Sequence, residues 1–369
     1  MAEAPRVAVD IAPVHSIVSA VMGDIASPDL ILPPGASPHG YSLRPSEARA
    51  LSSADLIVWM GPALTPWLEG PVESLAGDSD LLTLLAHPQT MLLDVREGAT
   101  FGAHDHGDHG HDAEDHDAHD DHAEHDEDHA DHAAHDDDHA EHAHEEHAHE
   151  EHDHDHAEHA EAEAGHDDHA HEENVHEEHE HDHEEHAEGA EGHEDHAEHA
   201  HNGSDPHAWL DPRNASIWAG LIADTLSDLD PDNAAVYTEN ARRFQADLAT
   251  LEAEIAATLA PVQGVPFVVF HDAYHYFEHR FETEAAGAVS ANDAASPSPA
   301  RVAELRAEIE ELGAVCALTE PQFNPGILNA LGAVRLSEVD PIGVDLPVGS
   351  TLYPAVLRNM AQGLVACVE

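Results

Sequence analysis

The chain contains no lysine: its twelve cations are all arginine, set against 77 acidic residues, and the formal net charge is −65. So acidic a surface repels phosphate backbones, which argues against nucleic acid as a partner and in favour of cations. Long apolar runs are missing as well, none approaching the roughly 20 residues that span a bilayer. The opening residues Met1 to Pro5 lack the hydrophobic core of a secretory signal. Ala2-Glu3-Ala4 directly before the first predicted strand reads as the start of a mature exported protein with Met1 added, so the expectation is a soluble, periplasmic chain. Cysteine is scarce, with only Cys316 and Cys367. In a reducing cytosol they would stay as two buried thiols, whereas in a periplasm they could pair. There is no Gly-x-Ser-x-Gly elbow and no His-Glu-x-x-His on an apolar-faced helix, so no enzyme is expected.

What is abundant is histidine, and it is concentrated. Residues 104–201 hold all but seven of the chain's 39 histidines and 41 of its 77 acidic residues, with no arginine. Most of the remainder is Ala or Gly, which cannot build a core, so this tract is expected to be a disordered insert. Imidazole suits zinc, copper and nickel, and the neighbouring carboxylates add charge and spare oxygens. The recurring His-x-His and His-x-x-His spacing therefore predicts many weak, interchangeable metal sites rather than a plain acidic linker. One run, His179-Glu180-His181-Asp182-His183, matches a metalloprotease pattern, but no apolar residue stands near it to seat such a helix.

Without the tract, 271 of the 369 residues remain, enough for two ordinary domains. Strand and helix signals alternate through both halves, which predicts α/β domains with mostly parallel sheets. Strands are expected at 6–11, 30–32, 56–59, 91–95, 267–270, 315–319 and 334–336. Helices are expected at 15–22, 45–53, from Pro66, at 214–226, 272–280, 300–312, 325–330 and 353–366. Between the halves, Asp230-Pro231 reads as an N-cap and first helical residue. The apolar stripe Val236, Phe244, Leu248, Leu251, Ile255, Leu259 then predicts a helix of roughly 45 Å, at 1.5 Å per residue, long enough to bridge two domains. The boundaries follow as 1–228 for the N-terminal domain with its insert at 104–201, 229–260 for the linking helix and 261–369 for the C-terminal domain.

Seven histidines lie outside the tract: His15, His39, His87, His207, His271, His275 and His279. Any one of them, taken alone, is more often a surface or hydrogen-bonded core residue than a ligand. Three share a setting, however. His39 follows a strand and a Pro-Gly turn, His207 sits in a Pro-flanked turn, and His271 ends an apolar strand. Ligands of open parallel sheets bind at the carboxyl ends of strands, so these three could converge on a metal that needs one further ligand or a water. His15 and His87 read as structural. His275 and His279 share a helical face, which His271, at a strand end, does not join.

The segments Ser37-Pro38-His39-Gly40-Tyr41-Ser42-Leu43-Arg44-Pro45-Ser46, Asp205-Pro206-His207-Ala208-Trp209-Leu210-Asp211-Pro212 and Phe270-His271-Asp272-Ala273-Tyr274 closely resemble motifs of the ZnuA-type zinc-binding proteins, the extracytoplasmic solute-binding components of zinc-uptake ABC transporters. The likeness covers nearly all of the chain outside the tract, and a His/Asp/Glu-rich insert just before the second motif is typical of the zinc members. The resemblance implies two α/β domains joined by a long rigid helix, with one tight Zn2+ site in the interdomain cleft. It implies ligand roles for His39, His207 and His271 and points to Asp340, in Glu338-Val339-Asp340-Pro341, as a fourth ligand, with water the alternative. Where other zinc relatives offer a Glu beside the first histidine, this chain has Pro38. His275 stands where relatives often have a small residue. Cys316 and Cys367 resemble a pair that forms a disulfide in some zinc members.

The resulting expectation is a monomeric high-affinity zinc receptor that delivers Zn2+ to a membrane permease, with additional weak zinc sites in the tract. An auxiliary zinc chaperone is an optional further partner. The competing expectations are a periplasmic metal buffer or chaperone, in which the tract is the working part, and a manganese-binding relative of the same fold.

Overall fold

The computed structural model describes residues 4–77, 79–96, 203–290, 299–321 and 334–369. The His-rich insert expected at 104–201, the helix expected at 325–330 and the Met1–Glu3 start lie outside the described residues. Two four-stranded, wholly parallel sheets carry the fold, with strand orders β2-β1-β3-β4 and β6-β5-β7-β8. The first contains β1 (Val7–Val9), β2 (Asp29–Leu30), β3 (Leu56–Trp59) and β4 (Asp80–Thr83); the second contains β5 (Phe267–His271), β6 (Ala288–Ser290), β7 (Cys316–Thr319) and β8 (Arg335–Glu338). Both sheets thus repeat one topology, with the order of the strands reversing beside β1 and beside β5.

Eight helices connect these strands among the described residues: α1 (Ala12–Met22), α2 (Pro45–Ser53), α3 (Pro66–Leu75), α4 (Pro212–Leu229), α5 (Ala234–Leu259), α6 (His275–Phe281), α7 (Pro299–Leu312) and α8 (Leu352–Val368). No helix of the described residues is long and apolar enough to cross a membrane.

Side-chain alternation along each strand decides which layer it feeds. Val7 and Val9, Leu56 and Val58, Phe267 and Val269, and Cys316 and Leu318 point into one continuous cluster that also takes the apolar faces of α1, α4, α5 and α8. Ala8, Ile57 and Trp59 point the other way, to Leu51 of α2 and to Leu68 and Val72 of α3. Val268, Phe270 and Ala317 face Val302 and Ile309 of α7. Strands covered on both faces read as unbroken apolar runs, as Leu56 to Trp59 does. The 26 residues of α5 bury Tyr237, Ala241, Phe244, Leu248, Leu251, Ile255 and Leu259 along one stripe.

Three local expectations are corrected. Residues 91–95 are no sheet strand. Their backbone pairs antiparallel with 203–205 through an isolated Asp94–Ser204 bridge, while the fourth place in the sheet goes to Asp80–Thr83, whose half-exposed pattern gives little apolar signal. Ala288–Ser290 adds a short edge strand that was not foreseen. The long helix starts at Ala234, not Pro231, because Oδ2 of Asp230 accepts the Asn233 side-chain amide (2.7 Å) and the Tyr237 hydroxyl (2.9 Å) and so closes a turn before the helix.

A disulfide joins Cys316 at the start of β7 to Cys367 near the end of α8, 51 residues apart. Loop closure of that length stabilises by roughly 4 kcal/mol in the chain-entropy description.

Candidate metal centre

His39 is presented by the loop after β2. The Ser37 hydroxyl accepts the His39 backbone N–H (3.2 Å), and Trp67 of α3 donates Nε1–H to the Pro38 carbonyl (2.7 Å), so the loop is held from both sides. His207 opens the short 3-10 helix Ala208–Leu210. Asp205 shapes that turn, its Oδ1 accepting both the backbone N–H of His207 (2.9 Å) and its Nδ1–H (2.6 Å). That assignment leaves Nε2 of His207 as the lone-pair nitrogen. Trp209, two residues on, donates Nε1–H to the Pro341 carbonyl (2.9 Å), and Tyr353 of α8 donates its hydroxyl to the Trp209 carbonyl (2.7 Å). The His207 turn is thereby tied to the loop that carries Asp340.

His271 is the last residue of β5, beside β7 in the sheet. Glu320, the residue after β7, places Oε1 3.1 Å from Nδ1 of His271, and both side chains are almost fully buried. Both residues thus stand at carboxyl ends of adjacent parallel strands, where such folds place their ligands.

These three imidazoles meet. One nitrogen from each of His39, His207 and His271 lies within 4.8 Å of the others, the only such group of His, Cys, Asp and Glu among the described residues. The Nε2 atoms of His39 and His207 are 3.3 Å apart. Zinc–nitrogen bonds of about 2.0–2.1 Å in a tetrahedron require ligand nitrogens about 3.3–3.4 Å apart, so this pair already stands at ligand spacing. Ring centroids are 5.4 Å apart for His39 and His207, 5.6 Å for His39 and His271 and 5.0 Å for His207 and His271. Burial, and next the nearby His271, hold the His207 imidazole well below its ordinary pKa, so it is neutral and able to donate a lone pair. Burial raises the Asp205 carboxyl to about 6, against the lowering effect of the His207 backbone N–H.

Asp340 is not a member of the three-histidine group. It lines a cavity of about 150 Å³ together with Ser37, Glu320, Ile342 and Val344. Its Oδ1 accepts the backbone N–H groups of Ile342 (3.0 Å) and Gly343 (2.8 Å), and its Oδ2 accepts that of Val344 (2.5 Å). A carboxylate offers about four lone-pair sites, so one remains, on Oδ2. Gly343 allows this loop: its φ is +81°, and a Cβ there would lie 2.9 Å from Cγ2 of Val356.

The other four histidines lie outside the three-histidine group. His15 donates Nε2–H to the Pro28 carbonyl (3.0 Å) and accepts at Nδ1 from the Ser19 hydroxyl (3.3 Å), pinning α1 to the β2 approach. His87 accepts the Gln89 backbone N–H at Nδ1 (3.3 Å). His275 sits half-buried at the start of α6, with Nδ1 3.7 Å from Oδ2 of Asp205, and His279 is exposed. Asp205 and Glu320 are the residues of the candidate site that sequence reasoning passed over. Asp205 offered a signal, standing two residues before a candidate ligand, whereas Glu320 becomes visible only once β5 and β7 are neighbours.

The family model for the zinc-uptake complex component A, periplasmic (ZnuA), matches residues 7–367. Over 373 residues the chain is 43% identical to the high-affinity zinc uptake system protein ZnuA of Paracoccus denitrificans, which covers 100% of this chain and 93% of that protein. It is 38% identical over 370 residues to the protein of the same description in Brucella suis, covering 100% and 92% respectively. A crystal structure of ZnuA superposes with a TM-score of 0.64 at 18% identity over 100% of both chains. FpvC from Pseudomonas aeruginosa, in complex with Mn2+, does so with a TM-score of 0.63 at 17% identity, over 99% of this chain and 98% of that one. At those identities the structural likeness is one of fold, whereas the family match runs almost from end to end. The chain belongs to the zinc-uptake complex component A family, a family of periplasmic solute-binding proteins and not of enzymes.

Proposed function

We propose that this protein is a zinc receptor that captures Zn2+ outside the cytoplasm and passes it to the membrane component of an ABC transporter. The observation that carries the reading is the convergence of three imidazoles from separate segments, His39, His207 and His271. Zinc favours borderline nitrogen donors in a tetrahedral arrangement, and its cargo role requires binding without covalent change. Carboxylates behind two of the rings, Asp205 and Glu320, fix their orientation and offset part of the metal's charge. In this reading Asp340 or a water completes the tetrahedron from the adjoining cavity, Asp340 through its remaining Oδ2 lone pair. Residues 1–228 and 261–369 act as two lobes, and the helix within 229–260 spaces them rigidly, with zinc held in the cleft between. The receptor works as a monomer, and the tract at 104–201 holds further zinc weakly.

Isothermal titration with zinc tests this on three proteins: the full chain, a form lacking residues 104–201, and the full chain carrying His207→Ala. One tight site is expected in the first two and none in the third, with the weaker sites vanishing from the shortened form. A shortened form with no tight site would overturn the receptor reading and leave a metal buffer.

A further inference from the structure

The four residues 93–96 do more than lead into the insert. Their backbone pairs with the segment that carries His207: Val95 donates N–H to the Gly203 carbonyl (2.6 Å), and Asp205 donates its N–H to the Leu93 carbonyl (2.8 Å). The Tyr276 hydroxyl of α6 accepts the Leu93 N–H (2.9 Å) and donates to the Asp205 carbonyl (2.9 Å). Arg96 then reaches the turn after His271. Its Nε donates to Asp272 Oδ1 (3.1 Å), its Nη2 also donates to that oxygen, and its Nη1 donates to Glu278 Oε2 (2.5 Å). The guanidinium side chain is only 8% exposed, with Asp272 at 11% and Glu278 at 2%. Glu278 Oε2 in turn accepts the Ala285 N–H (3.0 Å).

A forked cation meeting two carboxylates in a buried setting fixes three groups at once, since the planar guanidinium cannot serve both unless each is in place. One of those carboxylates belongs to the residue directly after His271. The segment that delivers the guanidinium is hydrogen-bonded to Asp205, the residue that orients His207. We propose that Arg96 is a positioning residue of the metal centre, clamping the turn after His271 to the His207 segment so that the two imidazoles keep ligand spacing and release metal slowly. This rests on the reading of the three histidines as the zinc site. Ligand bonds of about 2.0–2.1 Å leave little tolerance for one ring drifting from the others.

The test compares Arg96→Gln, Arg96→Lys and the triple variant Arg96→Gln, Asp272→Asn, Glu278→Gln, all in the full chain, loaded with less than one zinc per protein so that the tight site alone is read. Zinc loss to an excess of chromophoric chelator gives the dissociation rate, and the melting temperature of the metal-free form gives stability. Arg96→Gln is expected to melt lower and to release zinc about tenfold faster, the scale on which supporting residues of metal sites act. Arg96→Lys, which keeps the charge without the fork, should fall between. The triple variant removes the unpaired buried charges, so its melting temperature should return towards the parent's while release stays fast. This variant also decides the matter if Arg96→Gln fails to fold. Parental release from Arg96→Gln, or parental release restored in the triple variant along with its stability, overturns the proposal and leaves Arg96 as charge neutralisation only. A parent chain that holds no zinc tightly overturns the zinc reading itself, a failure visible before any variant is made.

Discussion

Glu320 Oε1 lies 3.1 Å from Nδ1 of His271, so the third imidazole is aimed by a carboxylate from the residue that follows the neighbouring strand β7. Removing such a partner usually costs 10- to 100-fold in metal affinity. Glu320→Ala should therefore weaken zinc within that range, and Glu320→Gln less, since an amide oxygen still accepts the Nδ1 hydrogen. Competition against a chelator of known affinity reads both. Equal affinity in Glu320→Ala and the parent would show that β5 alone orients the ring.

The Cys316–Cys367 disulfide sits at the other end of the same strand. Cys316 pairs with Phe267, four residues before His271, or about 13 Å along a strand. Reduction, or Cys316→Ser with Cys367→Ser, should lower unfolding free energy by roughly 4 kcal/mol and leave zinc affinity unchanged. Denaturant unfolding with and without reductant measures the first, and zinc titration of the reduced protein the second. Two reactive thiols counted in the denatured, unreduced protein would refute the bridge.

Much of this was legible in the sequence because local signals agreed with the tertiary outcome. Leu56–Trp59 is apolar at every position and is buried on both faces; Pro45 near the N-terminus and Glu47 in the first turn mark the start of α2. His39, His207 and His271 could be singled out because each stands at a turn or strand end. Signals failed where a competing partner, near or far in the chain, decides the outcome. Asp230 has the form of an N-cap, yet its carboxylate is taken by Asn233 and Tyr237. Met91–Val95 has strand-like residues, yet its backbone bonds go to residues beyond the insert. Glu320 and Arg96 carry no local mark, since their roles depend on strands and turns far apart in the chain.

Asp10, at the end of β1, is 1% exposed and accepts the backbone N–H groups of Ile11 and Met60, each at 2.8 Å. Burial raises its carboxyl to about 7 despite those bonds. Because the folded pKa exceeds the unfolded value of 3.8, the folded chain holds this proton to higher pH. The contribution is fully present below pH 3.8 and is lost as pH rises to about 7. Moving the carboxyl from 3.8 to about 7 corresponds to about 4 kcal/mol. Asp10→Asn cannot titrate, so stability measured from pH 4.5 to 7.5 should fall less steeply than in the parent. Its absolute stability should be lower, because the amide nitrogen leaves one of the two N–H groups without an acceptor. Parallel pH profiles for the two proteins would mean that Asp10 stays ionised in the fold.

Metal choice should rest on His271. Three neutral imidazoles leave the ion's charge of +2 uncompensated, and a single carboxylate or water completes a tetrahedron that suits zinc; manganese prefers more oxygen ligands and a higher coordination number. His271→Glu replaces the free-edge nitrogen of the imidazole that Glu320 holds through Nδ1 with an oxygen donor and sets two carboxylates side by side, which a harder cation tolerates better. Zinc affinity should fall relative to manganese, whereas cobalt and cadmium, satisfied by the same nitrogens, should compete with zinc in the parent. Asp340→Ala should cost zinc less than His271→Glu does, because water can enter from the adjoining cavity, while the loop from Ile342 to Val344 loses the acceptor of three N–H groups. That variant should accordingly show a lower melting temperature together with only a modest drop in affinity. Competition titrations with zinc and manganese on the three proteins separate these outcomes. Manganese displacing zinc from the unmodified site would defeat both the choice of metal and the role given to His271.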